Sequence, residues 1–166
     1  MAQDMFLKLS KINGESKDKD YKDQIDVISW TWGAQQSATM HQGGGGGGGK
    51  VSCGDIIVQK FVDKSTPILM QHCFTGTHIP EGELIIRKAG GKAVEYLKIA
   101  MKEIIVASTN VSGMGEMDRI TEDLALNFSV VSVKYVEQTQ DGGEGAKPSF
   151  GYDMSENIEH AAFDMA

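Results

Sequence analysis

Gln24-Ile25-Asp26-Val27-Ile28-Ser29-Trp30-Thr31-Trp32-Gly33 alternates as a β-strand does and then changes phase. Ile25 and Val27 share one face, whereas Ile28, Trp30 and Trp32 occupy the other. A strand with apolar residues on both faces is covered on both sides, or carries a bulge that shifts its register. Both outcomes suit a closed barrel or a subunit interface. Trp30 and Trp32 are too large and apolar to leave in water, so they are expected to point into a barrel core, with Ser29 and Thr31 facing the other way.

Similar patterns lie on either side. Met5, Leu7 and Leu9 alternate with Phe6, Lys8 and Ser10, which predicts a half-buried strand; Gly14 and the interleaved charges up to Asp23 end it, and read as a solvated loop. Val51 to Val62 is β-branched and apolar. Thr66 as N-cap, Pro67 at the first position and Gly76 as a left-handed cap predict one short helix with an apolar stripe of Leu69, Met70, Cys73 and Phe74. Leu84 to Ala89 and Ala93 to Ala107 flank Gly90 and Gly91, a two-glycine hairpin turn. Ile120, Leu124, Leu126, Phe128 and Val130 then share a face until Val131, Val133 and Tyr135 switch it, a second sign of a bulge or a two-sided wall. Asp141 to Ala146 reads as a loop, and Phe150, Tyr152 and Phe163 are aromatics suited to docking a terminal arm. Long strands, one helix and glycine turns predict a mainly β fold, a barrel or a two-sheet sandwich.

The glycine run Gly43 to Gly49, closed by Lys50, has no side chains to pack and must be a loop. Its end imitates a phosphate-cradling loop, but Val51 stands where that motif needs Ser or Thr for magnesium, and a strand follows where it needs a helix. A nucleotide-binding enzyme using Lys50, His41 and Asp55 is therefore disfavoured, and no Ser-His-Asp or Cys-His arrangement stands out. His72, Cys73 and His78 lack a fourth ligand at a metal-binding spacing, and Cys53 and Cys73 are too few for a disulfide framework. No catalytic residue, cofactor or metal is expected.

The 166 residues suit one domain, and the net charge of -7 argues against nucleic acid as a partner. No apolar stretch is long enough to span a membrane, and the N-terminus carries no cleavable signal peptide, so synthesis in the cytoplasm is expected.

Phe6-Leu7-Lys8-Leu9, Gly14-Glu15-Ser16, Ile25 to Gly33, the glycine run with Lys50-Val51, Phe61-Val62-Asp63-Lys64-Ser65-Thr66-Pro67, Arg87-Lys88-Ala89-Gly90-Gly91 and Leu126-Asn127-Phe128 resemble the hemolysin-coregulated proteins (Hcp) of the bacterial type VI secretion system. Departures from that pattern are Cys53, Gly54 and Tyr152. The resemblance implies a β-barrel with one short flanking α-helix over residues 1–157, an extended glycine-rich loop around 37–50, and a tail, 158–166, outside the shared pattern. It implies a structural protein rather than an enzyme: a homohexamer whose stacked rings form a secreted tube inside a contractile sheath, capped by a VgrG-like spike. Small effector proteins would be carried and chaperoned in the lumen. The strand of Ser29 and Thr31 belongs to the inner wall of the resembled ring, which makes those two residues candidates for lining the lumen. Ser37, His41, Gly43, Gly46, Gly49 and Lys50 are the candidates for ring contacts. The alternative without assembly is a monomeric β-domain that binds a partner at an exposed sheet edge.

Overall fold

The computed structural model describes residues 2–37, 49–88 and 93–166. The Gly90-Gly91 turn and the loop residues His41, Gly43 and Gly46 lie outside them. Among the described residues eleven strands and one helix follow in order: β1 (Gln3–Leu9), β2 (Ile25–Asp26), β3 (Ser29–Thr31), β4 (Ala34–Gln35), β5 (Ser52–Cys53), β6 (Ile56–Phe61), α1 (Thr66–Thr75), β7 (Ile79–Lys88), β8 (Glu95–Ser112), β9 (Thr121–Tyr135), β10 (Ser149–Asp153) and β11 (Ile158–His160). The chain is mainly β, as the alternation predicts. All neighbouring strands pair antiparallel.

The phase change at Ile28 is neither a two-sided wall nor a bulge. The segment changes partner there. β2 pairs with β1, β3 pairs with β6, and β6 pairs with β9. Val27 N–H donates to Met5 O at 3.0 Å, while Ile28 N–H donates to Gln59 O at 2.8 Å. The hydrogen-bonded ladder is therefore not closed. One peptide link carries the wall across the gap, from the β9-β8-β7-β1-β2 run to β3 and β6. Ile25 and Val27 are buried, Ile28 turns outward, and Trp30 and Trp32 pack half-buried against the core.

The second phase change is shared by three strands at one level. Gly82, Met101 and Val131 are in register and buried, and so are Ile79, Ile104 and Phe128; two residues, rather than one, separate each pair along its strand. Alternation slips by one in β7, β8 and β9 together, so the sheet creases along a line instead of bulging in one strand. Glu103 sits on that line with φ of 53°, in the left-handed region. A true register shift lies higher on β8, between Val106 and Ser108. Gly82 is needed at the crease, because a Cβ there would lie 2.7 Å from Leu9 Cδ2 and 2.8 Å from Ile104 Cδ1.

The helix differs from its sequence reading at both ends of the argument. Ser65, not Thr66, holds the N-cap position and makes no side-chain cap bond, and Gly76 closes the helix at φ 66°. Thr66 is drawn inward: its hydroxyl donates to Glu122 Oε2 at 2.7 Å and accepts from Lys60 Nζ at 3.1 Å. Of the expected stripe only Leu69 is fully buried, Met70 and Cys73 are half-buried, and Phe74, past the helix's contact with the sheet, is 83 % exposed.

The charged run before Gln24 is likewise more than a solvated loop. It folds back so that Tyr21 stacks on Phe6 with ring centroids 4.4 Å apart, and Arg87 lies over both rings while pairing with Asp4, Asp18 and Asp20. Asp18 is held below its ordinary range because bonds from the Asp20 backbone and Arg87 outweigh its burial.

Candidate functional site

Odd-numbered residues of β6, and of β9 up to Asn127, point outward, since the even-numbered partners Ile56, Val58, Leu124 and Leu126 fill the core. On β3 the tryptophan between them sends Ser29 and Thr31 to the same side. Register then sets rows across four strands. Thr31 opposes Ile57, Ile57 opposes Ala125, and Ala125 opposes Ser108; Ser29 opposes Gln59, Gln59 opposes Asp123, and Asp123 opposes Asn110. A third row joins Phe61, Thr121 and Ser112.

This outer wall is mostly short polar side chains, with Ile57, Ala125 and Phe61 as its apolar members and Asp123 as the one ionisable residue of the rows. At its edge Asn127 Nδ2 donates to Asp55 Oδ1 at 2.8 Å, and Arg119 lies 3.9 Å over the Phe61 ring. Such a surface is wetted and weakly charged, with few groups able to grip a protein passing over it.

Beside the wall, β4 and β5 form a separate two-stranded ribbon leading to Ser37 on one arm and to Gly49 and Lys50 on the other. Trp32 Nε1 donates to Gly54 O at 3.0 Å, and Gly54 N–H to Gly33 O at 2.9 Å, so the root of the ribbon is pinned to the barrel. The Cys53 thiol beside that root is pushed up by burial. At the far end a Cβ on Gly49 would meet Ser37 Oγ at 1.8 Å, so glycine is what lets the two arms close there. Lys50 is exposed and runs toward β5 with no helix behind it, which removes the dipole a phosphate loop requires. An isolated ribbon of this kind is at best marginally stable in water.

The structure thus brings Ser29 and Thr31 onto one wall and places Ser37, Gly49 and Lys50 together on the ribbon. It also adds wall residues that the sequence reading missed: Ile57, Gln59, Ser108, Asn110, Asp123 and Ala125. On β6 and β9 the signal was present, since Ile57, Gln59, Asp123 and Ala125 each stand between buried residues, but only strand pairing shows that these four, with Ser108 and Asn110, share a surface with Thr31. Among the described residues no group of three His, Cys, Asp or Glu stands close enough to hold a metal ion, and no helix is long and apolar enough to cross a membrane.

Residues 6–135 match the family model described as type VI secretion system effector, Hcp. The chain is 48% identical over 161 residues to protein hcp1 of Pseudomonas aeruginosa, covering 96% of this chain and 99% of that one. Among solved structures it resembles one described as a type six secretion system protein, with a TM-score of 0.90 and 30% identity over 96% of this chain and 100% of that one. It also resembles Hcp1 from Salmonella typhimurium, with a TM-score of 0.80 and 38% identity over the same shares. Hcp proteins are structural or secreted components and not a known class of enzyme. With the matched segment spanning most of the chain, and the antiparallel sheet, helix and ribbon in place, this protein belongs to the Hcp family of the type VI secretion system.

Proposed function

We propose that six copies of this chain close into a ring, with the β3-β6-β9-β8 wall facing the lumen, and that rings stack into the secreted inner tube of a type VI apparatus. The carrying observation is the wall itself: a broad outward sheet face in which Ser29, Thr31, Gln59, Ser108, Asn110 and Thr121 separate the apolar Ile57 and Phe61, with Asp123 as its one ionisable side chain. A channel that passes effector proteins needs such a lining, because strong charges or apolar patches would trap cargo. The ribbon ending at Ser37, Gly49 and Lys50 gains stability by lying against a neighbouring copy, which makes it the ring-contact arm. In this reading the tube is sheathed, tipped by a VgrG-like spike, and secreted when the sheath contracts.

Native mass spectrometry and negative-stain microscopy test the assembly: six-fold rings with a central hole are expected, and monomers or dimers as the sole species overturn it. Lining is tested by Thr31→Gln. This change is expected to leave rings intact while lowering the cellular level of a co-expressed effector that depends on the channel. If every tested effector keeps its level, Thr31 does not touch cargo.

A further inference from the structure

Beyond β11 the chain crosses the outer side of the creased sheet as a strap. Its carbonyls at His160 and Ala161 pass so close to Gly151 that a Cβ there would lie 2.5 and 2.8 Å from them. Phe163 N–H then donates to Ser132 Oγ at 2.9 Å, and Ala166 N–H to Glu81 Oε2 at 3.2 Å. The floor beneath is one register row of small residues, Gly151, Ser132 and Ala100, ending at Glu83. The neighbouring row supplies Lys98 and Lys134, paired with each other in register, and Lys102 stands on the opposite side. Three lysines thus face one channel in a chain of net charge -7, beside the carboxylates of Glu81 and Glu83 and with Lys98 also held 2.9 Å from Glu95.

The strap matches that channel in chemistry. Asp164 lies 2.8 Å from Lys134 Nζ and 3.9 Å from Lys98 Nζ, while the Phe163 ring sits 4.5 Å from Lys102 Nζ. Glu83 closes the end: it is almost fully buried, and its Oε1 makes no hydrogen bond. The strap itself forms no ladder past His160, and half of its residues remain exposed, so it is among the easiest segments of the fold to displace.

We propose that this channel is a docking groove for an extended acidic segment of a second protein, carrying an aromatic side chain directly before a carboxylate, and that residues 161–166 occupy it in cis. The resident strap displays what the groove recognises: a carboxylate between two lysines, a ring under a third, and backbone N–H groups offered to Ser132 and Glu81. Its presence lowers the apparent affinity for the outside segment by the fraction of time the groove is open. The groove's floor rows and the polar wall's rows lie on the outer side of the same strands, β8 and β9, on either side of the crease, and binding to the groove is read on the chain itself whether or not rings form.

The test uses a fluorescent peptide with the sequence of residues 158–166 and the full chain carrying Phe163→Ala and Asp164→Asn, which loosen its own strap. Fluorescence anisotropy is expected to show saturable binding to this variant, and binding at least about tenfold weaker to the unaltered chain. A peptide with its Phe and Asp replaced by Ala and Asn is expected to lose the binding. No binding to the variant, or equal binding of both peptides, overturns the proposal. Should the variant fail to fold, hydrogen exchange on the unaltered chain decides: excess peptide must speed exchange at the Phe163 and Ala166 amides, and unchanged exchange rejects the groove.

Discussion

Glu83 and Gly82, adjacent on β7, show how little room a single side chain has in this fold. Burial raises the Glu83 carboxyl above its ordinary value of 4.5, against the opposing pull of Lys98. Ionising Glu83 is therefore harder in the folded chain than in the unfolded one. Folded stability declines as the pH rises from the unfolded carboxylate range to the folded value, and stays lower above it. Glu83→Gln removes that cost, so urea unfolding is expected to show a more stable protein at pH 7 and little difference near pH 4. A variant less stable at pH 7 would mean that the Lys98 pairing outweighs burial. At Gly82 the constraint is steric: two core side chains stand within 2.8 Å of any added Cβ. Gly82→Ala is expected to cost about 1–3 kcal/mol through overpacking at the crease, read from the shift in urea midpoint.

At the level of elements, α1 depends on a buried polar knot more than on its own apolar stripe. Lys60 and Glu122 are both fully buried and 2.8 Å apart, and Lys60 also reaches Asp63 at 3.0 Å, while Thr66 closes the knot from the helix. Lys60→Met leaves the Glu122 carboxylate inside the barrel with Thr66 as its remaining partner. The expected cost is about 3–5 kcal/mol, largely recovered when Glu122→Met is added, because removing both charges is cheaper than stranding one. A double-mutant cycle in urea checks this, and two additive losses would reject the pairing. The same knot explains what the sequence could and could not show. Thr-Pro reads locally as a helix start, but Lys60 and Glu122 lie 62 residues apart, so nothing local marks Thr66 as an interior partner. Alternation made the strands and the phase changes at Ile28 and Val131 legible. Their meaning required pairing: one is a change of partner between β1 and β6, the other a crease drawn through three strands. Ser29 and Thr31 were legible because tryptophans flank them, whereas Gln59, Asn110 and Asp123 resemble polar residues on any strand. The folded-back loop at Tyr21 was hidden because its charges look solvated until Arg87 is placed among them.

For the whole molecule, the single chain leaves an apolar end uncovered, and the proposed assembly offers that end a place to be buried. The β8-β9 hairpin runs past the barrel, so Val111, Met114, Met117 and Ile120 are 45, 71, 50 and 49 % exposed, with Val62 beside them. Ile120 follows the core face of β9 in sequence but has no core left to enter. Burying one such side chain yields about 1.5–3 kcal/mol, and a ring or stack repeats the gain at every joint. Methionine suits a contact that must adapt to a neighbour, since its unbranched chain fills irregular gaps. Met114→Lys together with Met117→Lys is therefore expected to leave the subunit's circular dichroism and urea midpoint unchanged, because both side chains are exposed in the single chain. Native mass is expected to fall from rings, or stacks of rings, to smaller species. If assemblies of unchanged mass and stability form from the variant, the hairpin tip lies on free surface, and the joints between copies are made by the ribbon and the barrel sides instead.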